Sequence, residues 1–297
     1  MVMMLLAVRQ YLYFGTGISL LLLLWFMSRS SLSYEAAILA PPKPSELIPS
    51  SPQAPPTHSA GNATLGFQSI LALSTGPSWR TRGLFAAANL TGLSIQVPPQ
   101  PPIHPDLVRI FETMGPEEIQ HPAHGASIAW LAHLDIIKYT IQADLDTALI
   151  IEDDVDWDVS IRSQMIQIAE SVRNLTKIDT FEPAPYGRDW DVLKLVGAGQ
   201  DEAFDISMMH ACQAGKLKCI SVLPEVLHQY FPNEMFGVKS VVDIGNGEEA
   251  GPDDPEFEHV MGSTENILES ARCRALWNQK CLRFVASLQS PVVYTAL

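Results

Sequence analysis

The stretch Ala148–Val159, ALIIEDDVDWDV, decides how this chain is read. Four apolar residues run directly into five acids within seven positions: Glu152, Asp153, Asp154, Asp156 and Asp158. The apolar run predicts a buried strand over Thr147–Ile151. On either side the pattern turns helical. Gly125–Gln142 carries apolar residues at 128, 131, 134, 137 and 141, and Ile161–Val172 repeats that character. Gly66–Leu73 reads as another short buried strand, followed by a turn-rich basic loop over Ser74–Gly83 and a helical stretch over Leu84–Leu93. Val97–Pro105 must be irregular because proline fixes φ and removes donors. Trp190–Val196 adds a further strand. Strands alternating with helices imply an α/β layered domain with a largely parallel sheet.

In such sheets ligands bind beyond the carboxyl ends of the strands. Packed carboxylates at that edge repel one another unless a cation compensates. A hard divalent ion, Mn²⁺ or Mg²⁺, fits oxygen ligands and leaves positions for substrate phosphates. Glu152, Asp153 and Asp154 are therefore the expected metal ligands, with Asp156 a second candidate. Asp156 and Asp158 also suit a simpler role, complementing the N-terminus of the helix that follows. A lumenal Ca²⁺-binding structural protein would explain the carboxylates alone, but no suitably placed glycine completes an EF-hand loop.

Composition narrows the class further. Among 297 residues, 33 acids against 19 bases give a net charge of -14, which argues against nucleic acid as a partner. Residues 1–9 read as a short cytoplasmic tail and 10–28 as a transmembrane signal anchor, since Tyr11–Met27 is a run of 17 uncharged residues between Arg9 and Arg29. A cleaved signal peptide, giving a secreted protein, is the alternative. Residues 29–61 form a Pro/Ser-rich stem that cannot bury enough surface to order itself. The remaining 62–297 form the globular part. Three N-x-[ST] sequons begin at Asn62, Asn89 and Asn174, and support a lumenal face. Cys212, Cys219, Cys273 and Cys281 allow three disulfide pairings, of which the near-neighbour one is favoured, and no CxxC pair points to zinc.

The segment AWLAHLDIIKYTIQADLDTALIIEDDVDWDV resembles the family-25 glycosyltransferases, which include bacterial lipopolysaccharide and collagen hydroxylysine galactosyltransferases. The likeness is nearest to the membrane-anchored fungal branch. NATLGF at Asn62–Phe67, PYGRDWDVLKL at Pro185–Leu195, the segment Phe204–Pro232 and the N-terminal anchor agree with it. The resemblance implies a GT-A-like nucleotide-diphospho-sugar transferase fold after an N-terminal transmembrane helix. It implies metal-dependent transfer of a sugar, galactose in the named relatives, from a UDP-sugar to a hydroxyl acceptor on a glycan or glycoprotein. The setting would be a type II membrane protein of the Golgi or endoplasmic reticulum lumen.

The implied catalytic positions are Asp154, Asp156, His133 and Asp191. Arg80, Arg82, Trp130 and Asp189 stand on the nucleotide side, and the metal falls on Glu152, Asp153 and Asp154. Only four residues, Gln200–Ala203, stand where family members carry a long segment, so the domain is expected to be incomplete. The alternative function is accordingly a shortened, catalytically inactive transferase-like protein that binds a nucleotide sugar or a partner.

Overall fold

The computed structural model describes residues 54–115, 121–195, 204–230, 239–249, 266–281 and 292–295. The expected anchor, most of the stem and the short junction at 200–203 lie outside the described residues. Among those described, no helix is long and apolar enough to cross a membrane.

After a 3₁₀ turn at Pro56–Gly61, the chain forms β1 (Ser69–Leu73), α1 (Trp79–Thr91), β2 (Ile95–Gln96), α2 (Pro105–Glu112), α3 (His124–Gln142) and β3 (Ala148–Glu152). These build a three-stranded parallel sheet in the order β2-β1-β3, with β1 in the middle. The central strand is apolar and buried through Ala72, as a strand covered on both faces must be. Leu73 pairs with Glu152, so β1 and β3 end level with each other.

The helix after β1 starts earlier than its apolar pattern predicts. Ser78 caps it, its hydroxyl accepting from the amides of Arg80 and Thr81, while the Thr81 hydroxyl accepts from the Ser78 amide. This capping box moves Arg80 and Arg82 out of the expected loop and into the first turn of α1. Gly92 ends the helix at φ 68°, a left-handed C-cap that glycine adopts without strain.

Beyond the acids the strands do not continue one parallel sheet. The chain turns at Asp153 and Asp154 into β4 (Val155–Trp157), which pairs antiparallel with β7 (Leu227–Gln229). After α4 (Ile161–Thr176) comes β5 (Val192–Lys194), then α5 (Phe204–Gln213) and β6 (Cys219–Leu223). β6 lies between β5, parallel to it, and β8 (Val292–Thr295), antiparallel. Two short helices, α6 (Val241–Gly245) and α7 (Ala271–Trp277), complete the described elements. Among the described residues the architecture is mixed α/β with three small sheets, where a single, largely parallel sheet was expected.

The core lies between the sheets and α4. Ile161, Met165, Ile168, Ala169 and Val172 line one face of α4 at helical spacing and are fully buried. They share one cluster with Leu84, Ile70, Leu149, Ile151 and Trp157. Trp157 is 1% exposed and satisfies its ring N–H on the Thr91 hydroxyl at 3.2 Å. Both disulfides join near neighbours, Cys212 to Cys219 and Cys273 to Cys281.

Candidate functional site

The level ends of β1 and β3 put the loop after Leu73 beside the acids. Ser74 Oγ donates to Asp153 Oδ2 at 2.6 Å, joining the two strand exits. The next turn of chain leads to the N-terminus of α1, where the guanidinium of Arg80 meets Asp154 Oδ2 at 3.3 Å. Gln229, from β7, donates to the same oxygen at 3.2 Å. Glu152, the most exposed acid of the three, pairs with His133 of α3, Nε2 to Oε1 at 3.2 Å. His133 Nδ1 faces the Ala129 carbonyl at 2.8 Å and must carry its proton there, because a carbonyl only accepts. Nε2 is then the ring nitrogen that deals with Glu152.

These partners set the electrostatics. The hydrogen bond from His133 holds Glu152 below the ordinary carboxylate range, against the opposing effect of burial. Burial, and then the neighbouring Glu152, push Asp154 up to about 6 despite Arg80 and Gln229. Asp153 is also raised by burial, opposed by Ser74, Arg80 and Arg272. Burial, more than mutual repulsion, is what disfavours the charged forms of Asp153 and Asp154, while Glu152 is favoured in its charged form by His133.

The other two acids of the run face a different segment. Asp156, 0% exposed, accepts from the Ser270 hydroxyl, from the Arg272 amide at 3.2 Å and from the Trp157 amide at 2.8 Å. Asp158 accepts from the amides of Leu268 and Glu269 at 2.7 and 2.9 Å, and from the amide and hydroxyl of Ser160 at 2.8 and 2.6 Å. Asp158 therefore orders the turn into α4, while Ser160 occupies the cap position without a side-chain cap bond. Both acids anchor residues 268–272 onto β4, a structural role different from the expected one at the start of the following helix, whose cap residue makes no side-chain cap bond.

The remaining expected positions disperse. Trp130 of α3 sits in an aromatic group, its ring 5.6 Å from Phe111 and 5.1 Å from Phe204, and His133 stacks on Phe204 at 4.9 Å. Arg82 is exposed on α1. Asp189 and Asp191 lie at the entry to β5, a strand's amino end. Asp189 pairs with Lys218 Nζ, and Asp191 accepts from the Lys218 amide at 2.7 Å. Trp190 between them packs edge-on against Phe67 and donates to the Tyr186 carbonyl at 3.1 Å. The structure thus gathers Glu152, Asp153, Asp154, His133 and Arg80 and leaves the Asp189–Asp191 element on Lys218.

Two residues escape a sequence-based reading. Ser74 sits in a turn-rich loop that gives no sign of which hydroxyl will meet the acids. Arg272 lies in a short stretch whose local pattern does not separate it from a solvated charge, yet it is fully buried beneath the acidic turn.

The oxygen donors of Glu152, Asp153 and Asp154 are of the type that suits a hard cation. Among the described residues no three carboxylates, imidazoles or thiolates are grouped to hold a metal ion as they stand. Glu152, Asp153 and Asp154 would have to turn from His133, Ser74 and Arg80 to share one. Compared with known proteins, the chain matches no family model, no curated protein and no solved structure.

Proposed function

We propose that this protein is a metal-dependent glycosyltransferase that moves a sugar from a UDP-sugar to a hydroxyl acceptor on a glycan or glycoprotein. The observation that carries this reading is the Glu152–Asp154 turn at the carboxyl edge of a parallel sheet, level with Ser74 and with the capped N-terminus of α1. Resemblance of the surrounding segment to the family-25 enzymes supplies the donor class and favours galactose. Glu152, Asp153 and Asp154 would hold Mn²⁺ or Mg²⁺, which when bound neutralises negative charge on the diphosphate leaving group. Arg80 stands where the phosphates would approach, and α1 offers its positive end there. His133 orients Glu152 and can exchange a proton with it. Residues 10–28 would anchor the protein in the Golgi or endoplasmic reticulum membrane. Two disulfides suit that oxidising lumen, and the sequon residues Asn62, Asn89 and Asn174 are all exposed.

A second reading, a transferase-like protein without catalysis, draws on Arg80 at Asp154: a built-in cation already occupies part of the place a metal would take. Calorimetric titration of the full-length protein with UDP-galactose and UDP-glucose, with and without Mn²⁺, tests both. Mn²⁺-dependent binding with sugar transfer to an acceptor supports the enzyme. Binding without transfer across an acceptor panel supports the second reading. A folded protein that binds neither nucleotide sugar removes the enzyme and leaves only a transferase-like protein that binds a partner.

A further inference from the structure

Arg272 spends its guanidinium on main-chain carbonyls. Nη2 donates to the carbonyls of Asp153 and Val155, each at 2.9 Å, and these bracket Asp154 on both sides. Nη1 donates to the Arg80 carbonyl at 2.8 Å, tying the same point to the first turn of α1. The ring of Tyr230 covers the guanidinium at 4.8 Å, and the Tyr230 amide donates to the Asp154 carbonyl. Space for the side chain comes from Gly83: a Cβ there would overlap Arg272 Nη1 and come within 2.9 Å of its Cδ and Cζ. The backbone of Arg272 is fixed in turn by Asp156, through its own amide and the hydroxyl of Ser270.

Burying a guanidinium is costly, and the buried Asp156 carboxylate nearby offsets part of that cost. Pairing with Asp156 alone would not require the guanidinium to reach three carbonyls; the planar fork fixes two of them, on either side of Asp154, at once. We propose that Arg272 is a positioning residue for the acidic turn: its fork fixes the backbone on both sides of Asp154 and so holds Asp153 and Asp154 in the arrangement that would receive a divalent cation. This rests on the reading of Glu152–Asp154 as the metal and diphosphate site.

The test uses the full-length protein and its Arg272→Met, Arg272→Lys and Gly83→Ala variants. Amide hydrogen exchange is followed at 153–157, and Mn²⁺ binding is followed by the EPR signal of free Mn²⁺ across pH 5–8. In Arg272→Met, exchange at 153–157 should rise at least tenfold while the amides of β1 and α4 stay protected. Mn²⁺ affinity should fall at least tenfold. Arg272→Lys keeps the charge but not the fork, so it should show the same fast exchange and the same loss of Mn²⁺ affinity; wild-type behaviour in Arg272→Lys would overturn the role of the fork. Gly83→Ala displaces the guanidinium without removing it, and should reproduce the fast exchange even if Arg272→Met fails to fold. Unchanged exchange at 153–157 in a folded Arg272→Met protein overturns the proposal. Absence of Mn²⁺ binding by the wild-type protein overturns the metal reading, whereas the exchange result still decides whether Arg272 shapes the turn.

Discussion

Asp154 is held where its charged form is disfavoured. Its carboxyl lies at about 6 in the folded protein, against 3.8 ordinarily, through burial and the nearby Glu152. The folded state therefore binds this proton more tightly than the unfolded state, and stability contributed by Asp154 falls as pH rises from about 4 through about 6. Asp154→Asn should remove that loss. Relative to wild type, the variant should gain up to about 3 kcal/mol between pH 4 and pH 7, read from urea denaturation at both values. The same variant should lose Mn²⁺ binding, so stability and ligand binding move in opposite directions. Arg80 gives a second pair of opposed signs. It neutralises Asp154 directly, so Arg80→Ala should tighten Mn²⁺ binding measured alone. If Arg80 also meets the donor's phosphates, the same change should weaken UDP-sugar binding by about tenfold, the scale of one lost charge-assisted hydrogen bond. Calorimetry with each ligand separately reads both signs.

The elements that the sequence makes legible are those whose periodicity is local. The helix expected over Gly125–Gln142 appears at His124–Gln142, and the strand expected over Thr147–Ile151 appears at Ala148–Glu152. Apolar spacing marks both in the sequence, although β3 still needs β1 to complete its ladder. β4 and β7 are different. Each is three residues long, and each exists because of the other. The run that reads as a knot of charge after β3 is in fact a turn and a second strand, because Tyr230, Gln229 and the segment 268–272 supply partners from far along the chain. The two roles of the acids were likewise only half visible: Glu152–Asp154 at a strand exit follows from the local pattern, but nothing local tells that Asp156 will bind Ser270. α7 depends on a short covalent loop as well as on these bonds. Replacing Cys273 and Cys281 by serine should lower stability by about 2.5 kcal/mol, the scale expected for closing a loop of this length. Thermal denaturation of the double variant checks this, and faster exchange at 153–157 should accompany it, because α7 carries Arg272.

At the scale of the whole molecule, the site joins segments that lie far apart in sequence. Ser74 and Asp153 are 79 residues apart, and Arg272 and Asp153 are 119 apart. A protein terminated before Leu268 should keep α3 and β1 but lose the protection of β4, and with it Mn²⁺ binding. Hydrogen exchange on that truncated protein, compared with the full chain, measures the effect. Long separations also set an order in time. During synthesis the acids of Ala148–Val159 emerge well before the residues that bracket them, and until Arg272 follows, the Asp154 turn lacks the fork that fixes its shape. The part of this protein proposed to do the chemistry is thus among the last to be finished, and a ribosome-bound chain would carry the acidic run for more than a hundred residues of elongation before it could close on a metal.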